Sequence, residues 1–178
     1  WVRYGLNIEK FGNSGAQWLA CDGARGEWAV GFHGLRRDVL EVLKCIAFEG
    51  FKVFSGKNSE WGTTAEDVGP NASLFSEKTC GKGVFLTPKL EYLTENVENC
   101  RLTKPIQYNK HFYLELALQC RIHPKNIRVP ACAGNQYYIV NDPKHVRPYG
   151  IVIYFLTAEK AKTIFDGNNY DLNPATPF

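Results

Sequence analysis

The first residues here that could do chemistry are an imidazole and its small neighbours, in Gly26-Glu27-Trp28-Ala29-Val30-Gly31-Phe32-His33-Gly34. In an extended conformation alternate side chains point to opposite faces. Trp28, Val30 and Phe32 then share a core-facing side, while Ala29, Gly31 and His33 share the other. One ring beside two nearly empty positions reads as the floor of a cleft, where a ligand lies against backbone. The alternative is a histidine that merely ends a strand and bonds a neighbour. A second stretch, Cys80-Gly81-Lys82-Gly83-Val84-Phe85-Leu86-Thr87-Pro88, frames a lysine with glycines before a short apolar strand. Glycines so placed indicate backbone passing close to another group. The GxxxxGK[ST] pattern is absent, which excludes a phosphate cradle of that type. The six cysteines contain no CxxC pair, so metal-ligand spacing is missing. No GxSxG supports a Ser/His/Asp hydrolase.

The elements that must position these groups are set by periodicity and punctuation. Asp38 to Glu49 predicts a helix whose inward stripe is Val39, Leu43 and Ile46, widened by Leu40 and Ala47. Asp38 fits its N-cap and Gly50 its C-terminal stop. Thr87-Pro88 is a second helix-start signal, with Leu90, Leu93 and Val97 facing inward. His111 to Ile122 alternates strictly: Phe112, Leu114, Leu116, Leu118, Cys120 and Ile122 form one face, and Glu115 falls on a solvent side. Gln136 to Val140 reads as a strand and Asn141-Asp142-Pro143 as a turn. Gly150 to Leu156 is the final strand, and Ala158 to Phe165 a short helix capped by Thr157. Trp18-Leu19-Ala20 is a short strand or loop, and residues 51–79 form a long connection. Strands outnumber helices and the late ones are joined by turns. The fold class is therefore α+β with a largely antiparallel or mixed sheet. We expect one domain over 1–178, with 1–26 as lead-in and 166–178 as tail.

Net charge is +3 with both signs interspersed, too mild to argue for nucleic acid. The longest apolar runs, such as Ile151 to Leu156, are far too short to cross a bilayer. Cys45 and Cys120 fall at apolar positions and read as buried free thiols. The expected location is intracellular. His111, His123 and His145 read as surface histidines, and Arg147-Pro148-Tyr149 as structural.

Three segments taken in order resemble the catalytic domain of the ADP-ribosyltransferase superfamily, on the poly(ADP-ribose) polymerase and diphtheria-toxin side. They are His33-Gly34, Gly81-Lys82-Gly83-Val84-Phe85-Leu86, and Asn135-Gln136-Tyr137-Tyr138-Ile139-Val140-Asn141-Asp142, and together they span about Glu27 to Leu156. The resemblance implies a split, mostly antiparallel sheet pair flanked by helices around a cleft for NAD. NAD is a substrate in that family, and no metal is implied. By position, His33 would bond the ribose next to adenine and Gly34 backbone groups would clamp the nicotinamide amide. Gly83 would line the site and Phe85 would stack on the nicotinamide ring. Tyr92 is the nearest candidate for a second stacking ring, earlier in the chain than the family spacing. Catalysis would fall to His33, Phe85 and Gln136. Two departures stand out: Phe85 replaces the usual Tyr and keeps the stacking face, and Gln136 replaces the usual Glu.

Gln136 has three explanations. The domain is a pseudoenzyme that binds NAD or ADP-ribose, or a mono-ADP-ribosyltransferase that borrows a carboxylate from its target, or the amide is an engineered isostere. The implied partners are NAD and a macromolecular acceptor, a protein in the first place with nucleic acid left open. No membrane is implied, and the domain is expected to be a monomer.

Overall fold

The computed structural model describes residues 1–11, 17–20, 23–35, 39–51, 83–94, 103–129 and 137–168. Among them run seven strands: β1 (Val2–Gly5), β2 (Ala29–Gly34), β3 (Val84–Leu86), β4 (Ile106–Gln107), β5 (Phe112–Ile122), β6 (Tyr138–Val140) and β7 (Val146–Thr157). Two α-helices accompany them, α1 (Val39–Glu49) and α2 (Ala158–Asn168). Every pairing between these strands is antiparallel. A larger sheet has the order β1-β7-β5-β2 with β4 on β5, and β3 and β6 form a smaller one. The class is mixed α+β with mostly antiparallel sheets and few helices.

The strongest alternation in the chain becomes the centre of the larger sheet. Leu116, Leu118, Cys120 and Ile122 of β5 pack with Val39 and Ile46 of α1 and with Val84, Leu86 and Val140 of the smaller sheet. On the opposite face Ala117 meets Phe32, Val152, Leu90 and Leu93. Farther along that face Ala161 and Ile164 of α2 cover Leu156, Tyr113 and Tyr154. Both faces of the larger sheet are therefore clothed.

Helix ends form as the local chemistry dictates. Gly50 adopts φ 84° and its N–H closes on the Ile46 carbonyl at 2.9 Å, a left-handed stop that favours glycine. Thr157 Oγ1 accepts the Lys160 N–H at 3.3 Å and caps α2, which continues past Phe165 to Asn168. Within α1, Val39 and Ile46 are buried and Leu43 packs against the core, but Leu40 is exposed. The stripe is narrower than its apolar count. Asp38 lies outside the described residues.

Several expectations need correction. Thr87-Pro88 does not start an α-helix. The backbone of Thr87 pairs with Phe32, N–H to O at 2.8 Å in both directions, and its hydroxyl donates to the Lys89 carbonyl at 2.8 Å. The chain then makes one 3-10 turn, Leu90–Leu93, whose two leucines do face inward; Val97 is outside the described residues. The last strand begins at Val146 rather than Gly150. Its register against β5 slips between Gln119 and Cys120, leaving Tyr149 as the extra residue beside Pro148. A bulge tolerates a residue with no N–H to give. The lead-in holds a strand, β1, on the outer edge of β7, and Gln17–Leu19 is a 3-10 turn.

Candidate functional site

Strand β2 is the meeting point of the two sheets. Phe32 exchanges both backbone bonds with Thr87, so its N–H and C=O point away from β5. Backbone direction alternates along a strand, so Val30 and Gly34 also present their N–H and C=O at this outer edge. Leu35, of opposite parity, sends its N–H inward to the Leu116 carbonyl at 3.1 Å, as the alternation requires.

A continuous ladder from the Phe32–Thr87 bridge would set Gly34 opposite Phe85. No such pair forms: β2 and β3 belong to different sheets, joined by the isolated Phe32–Thr87 bridge. His33 spans the opening: its Nδ1 bonds the Phe85 carbonyl oxygen at 2.8 Å. A carbonyl only accepts, so Nδ1 carries the proton, and in the neutral ring the lone pair lies on Nε2. The imidazole is 5% exposed and meets Phe51 edge-on, with ring centroids 5.0 Å apart. Tautomer and ring plane are thus both held. The result is a split in the backbone pairing between β2 and β3, with the Gly34 backbone on one side and the buried His33 ring bonded across it.

His33, Gly34 and Phe85 are brought together. Gly83 adjoins them because only a residue without Cβ fits: an added carbon would sit 2.7 Å from Ile139 Cγ2 and 2.8 Å from the Val140 carbonyl oxygen. Tyr92 is half-buried on the 3-10 turn with the Lys89 ammonium 5.7 Å from its ring centre. The leucines of that turn pack on the Phe32 side of β2, the face opposite His33. Gly81, Lys82 and Gln136 lie outside the described residues. The chain just after Gln136 is anchored beside the split: Tyr137 is buried and Tyr138 is paired with Leu86.

Two readings of the residues around His33 are overturned. The face shared by Ala29, Gly31 and His33 is no open floor. A Cβ on Gly31 would meet Ile122 Cδ1 at 2.5 Å and Leu86 Cβ at 3.3 Å, so the missing side chain is a packing requirement. Glu115 is not solvent-facing but fully buried, and it accepts a bond from Thr103 Oγ1 at 3.0 Å. It shares the Ala117 face of β5, whereas His33 pairs with Leu118 on the other face. The sheet separates that carboxylate from the split.

Phe51 and the Phe85 carbonyl are the parts that sequence reasoning missed. An aromatic residue directly after the Gly50 stop was a usable signal; a backbone carbonyl leaves none. The remaining histidines and cysteines take structural places. His123 and His145 are half-buried rather than on the surface, with rings 5.5 Å apart and His123 edge-on to Trp28 at 5.0 Å. His111 is exposed. Arg147 lies over Trp28, Trp18 and Phe11 at 4.3, 4.9 and 5.6 Å, and burial lowers its pKa. Burial pushes the free Cys120 thiol well up, which keeps it protonated and unreactive at neutral pH. Cys45 is also free and half-buried. Among the described residues no group of three or more His, Cys, Asp or Glu could hold a metal ion. No described helix is long and apolar enough to cross a membrane.

Neither the models of known protein families nor the curated proteins match this chain.

Proposed function

We propose that the chain is an ADP-ribosyltransferase-like domain that takes NAD into the split between β2 and β3 and transfers one ADP-ribose unit to a macromolecular acceptor, a protein in the first place. The observation that carries this is the bond from His33 Nδ1 to the Phe85 carbonyl at 2.8 Å, with the Gly34 backbone directed into the same opening. A primary carboxamide presents an acceptor oxygen and an N–H donor side by side. That pair is complementary to the N–H and C=O of one outward-facing residue, here Gly34. The His33 imidazole contacts the ribose next to adenine, and the Phe85 ring offers a stacking face to the nicotinamide.

In the reaction the bond from ribose C1′ to the nicotinamide nitrogen breaks and the electron pair leaves with nicotinamide. The acceptor nucleophile then bonds to C1′ and gives up its proton. The transition state carries positive charge on the ribose, so fixed dipoles and ring orientation do most of the work. Gln136 brings an amide oxygen where a carboxylate would bring a full charge. That one residue favours a second reading, a catalytically silent module that binds NAD or ADP-ribose in the same split.

Calorimetric titration tests the shared premise. The native chain is expected to bind NAD, and His33→Ala to weaken binding at least tenfold in a variant that still folds, its unfolding midpoint lowered by loss of the Phe85 bond and the Phe51 contact. Unchanged affinity in the variant removes His33 from the site. Absence of heat with the native chain at millimolar NAD removes the split as a nucleotide site altogether.

A further inference from the structure

The larger sheet has two edges, and the one away from the split is open. There β1 is the last strand in the order β1-β7-β5-β2. The Leu6 N–H reaches the Tyr149 carbonyl at 2.8 Å, so Leu6, and with it Tyr4 and Val2, direct their backbone groups at β7. Arg3 and Gly5 have the opposite parity and direct N–H and C=O outward. Among the described residues nothing bonds those four groups. All of β1 is exposed. The two faces of this edge differ in chemistry. Val2 lies opposite Ile153, which puts Val2, Tyr4 and Phe155 on the α1 side, where they are 42%, 54% and 50% exposed. The apolar cover from α1 thins out before it reaches them. Arg3 lies opposite Val152 on the other side. Neither β1 nor β7 contains a carboxylate, and Arg3 has no ion-pair partner among the described residues.

We infer that β1 is a docking edge for one extended segment of a partner protein, with apolar side chains opposite Val2 and Tyr4 and a carboxylate opposite Arg3. The incoming strand bonds the outward groups of Arg3 and Gly5, and its alternate side chains set the specificity. A free row of backbone donors and acceptors beside exposed apolar side chains is what such a strand pairs with. The α1 side takes its apolar residues, and the unpaired guanidinium on the other side selects the acid between them. A second copy of this chain fits less well. It would bring another Arg3 to the same edge and no carboxylate on β1 to balance either one. Because β2 lies at the opposite edge of the sheet, a strand on β1 leaves Gly34 and His33 uncovered, and the two sites are tested apart.

Amide NMR of the intact chain with the peptide acetyl-Thr-Val-Glu-Val-Thr-amide tests this. The expected result is saturable shifts of the Arg3 and Gly5 amides while Gly34 and His33 stay fixed. The same peptide with lysine in place of glutamate is expected to bind at least fivefold more weakly, and Arg3→Glu to reverse that order. Gly5→Pro removes one outward donor that β7 does not use, at a position where an added Cβ meets nothing within 4 Å. It is expected to weaken binding at least fivefold. Absence of shifts at Arg3 and Gly5, equal binding of the two peptides, or an order that Arg3→Glu leaves unchanged overturns the docking edge. The peptide comparison holds even if the proline variant fails to fold. Shifts of Arg3 and Gly5 that depend on protein concentration without peptide give the edge to a second copy and overturn the partner strand.

Discussion

Replacing Gln136 with glutamate is expected to raise nicotinamide release from NAD by on the order of a hundred- to thousandfold, the usual worth of one preorganised electrostatic partner of a developing charge. The substitution keeps shape and acceptor geometry and adds only charge. A carboxylate stabilises the positive ribose and accepts from its hydroxyl; an amide oxygen does the second and little of the first. The gain should therefore appear in turnover, with NAD affinity nearly constant, when single-turnover nicotinamide release is compared with calorimetric binding. A folded Gln136→Glu variant that binds NAD and releases no more nicotinamide would identify the domain as the silent module.

Arg121→Ala is expected to cost about 3 kcal/mol of folding stability, from the half-buried carboxylate and the backbone carbonyls that lose their guanidinium partner. The Arg121 side chain is 6% exposed and its Nη1 meets Glu27 Oε1 at 2.9 Å. Nη1 also donates to the Trp28 carbonyl at 2.6 Å, and Nη2 to the carbonyls of Ala20 at 2.5 Å and Leu19 at 3.3 Å. One guanidinium thus ties β5 to the chain that leads into β2. Its loss takes the guanidinium from a half-buried carboxylate, which keeps the Gly23 N–H, and from three carbonyls at once. Lysine is a poor substitute, since it cannot serve four acceptors with a planar fork. Burial also raises the pKa of Tyr149, which lies beneath this guanidinium, and the nearby Arg121 charge pulls it partly back. Urea unfolding followed by Trp fluorescence reads the loss directly; a cost under about 1 kcal/mol would place Arg121 with ordinary surface ion pairs.

Arg121 and Glu115 also mark where sequence legibility stops. The strict alternation of Phe112 to Ile122 makes β5 and its apolar face plain, and glycine and threonine mark the ends of α1 and α2. The same alternation suggests that the other face of β5 meets water. It does not, because α2 and the Leu90–Leu93 turn cover it, and the partners that stabilise Arg121 and Glu115 in their buried places come from Glu27 and Thr103. No local pattern records such distant partners. Gly31 misleads for a related reason: a missing side chain signals close approach without saying whether a ligand or Ile122 approaches. Thr87 carries a sound helix-start signal that loses to two backbone bonds with Phe32. Pairing across sheets overrides local propensity there. The juxtaposition of His33 with Phe85 is implied only by the resemblance, and its agent, a carbonyl, has no side-chain signature.

The central claim is that Gly34 and His33 together form the NAD contact, and the Gly34 amide resonance reports on it most directly. Titration of labelled protein with NAD is predicted to move the Gly34 N–H strongly and His33 Nε2 with it, both saturating with a single dissociation constant. If these two signals stay fixed while others respond, NAD binds elsewhere and the split between β2 and β3 is not its site.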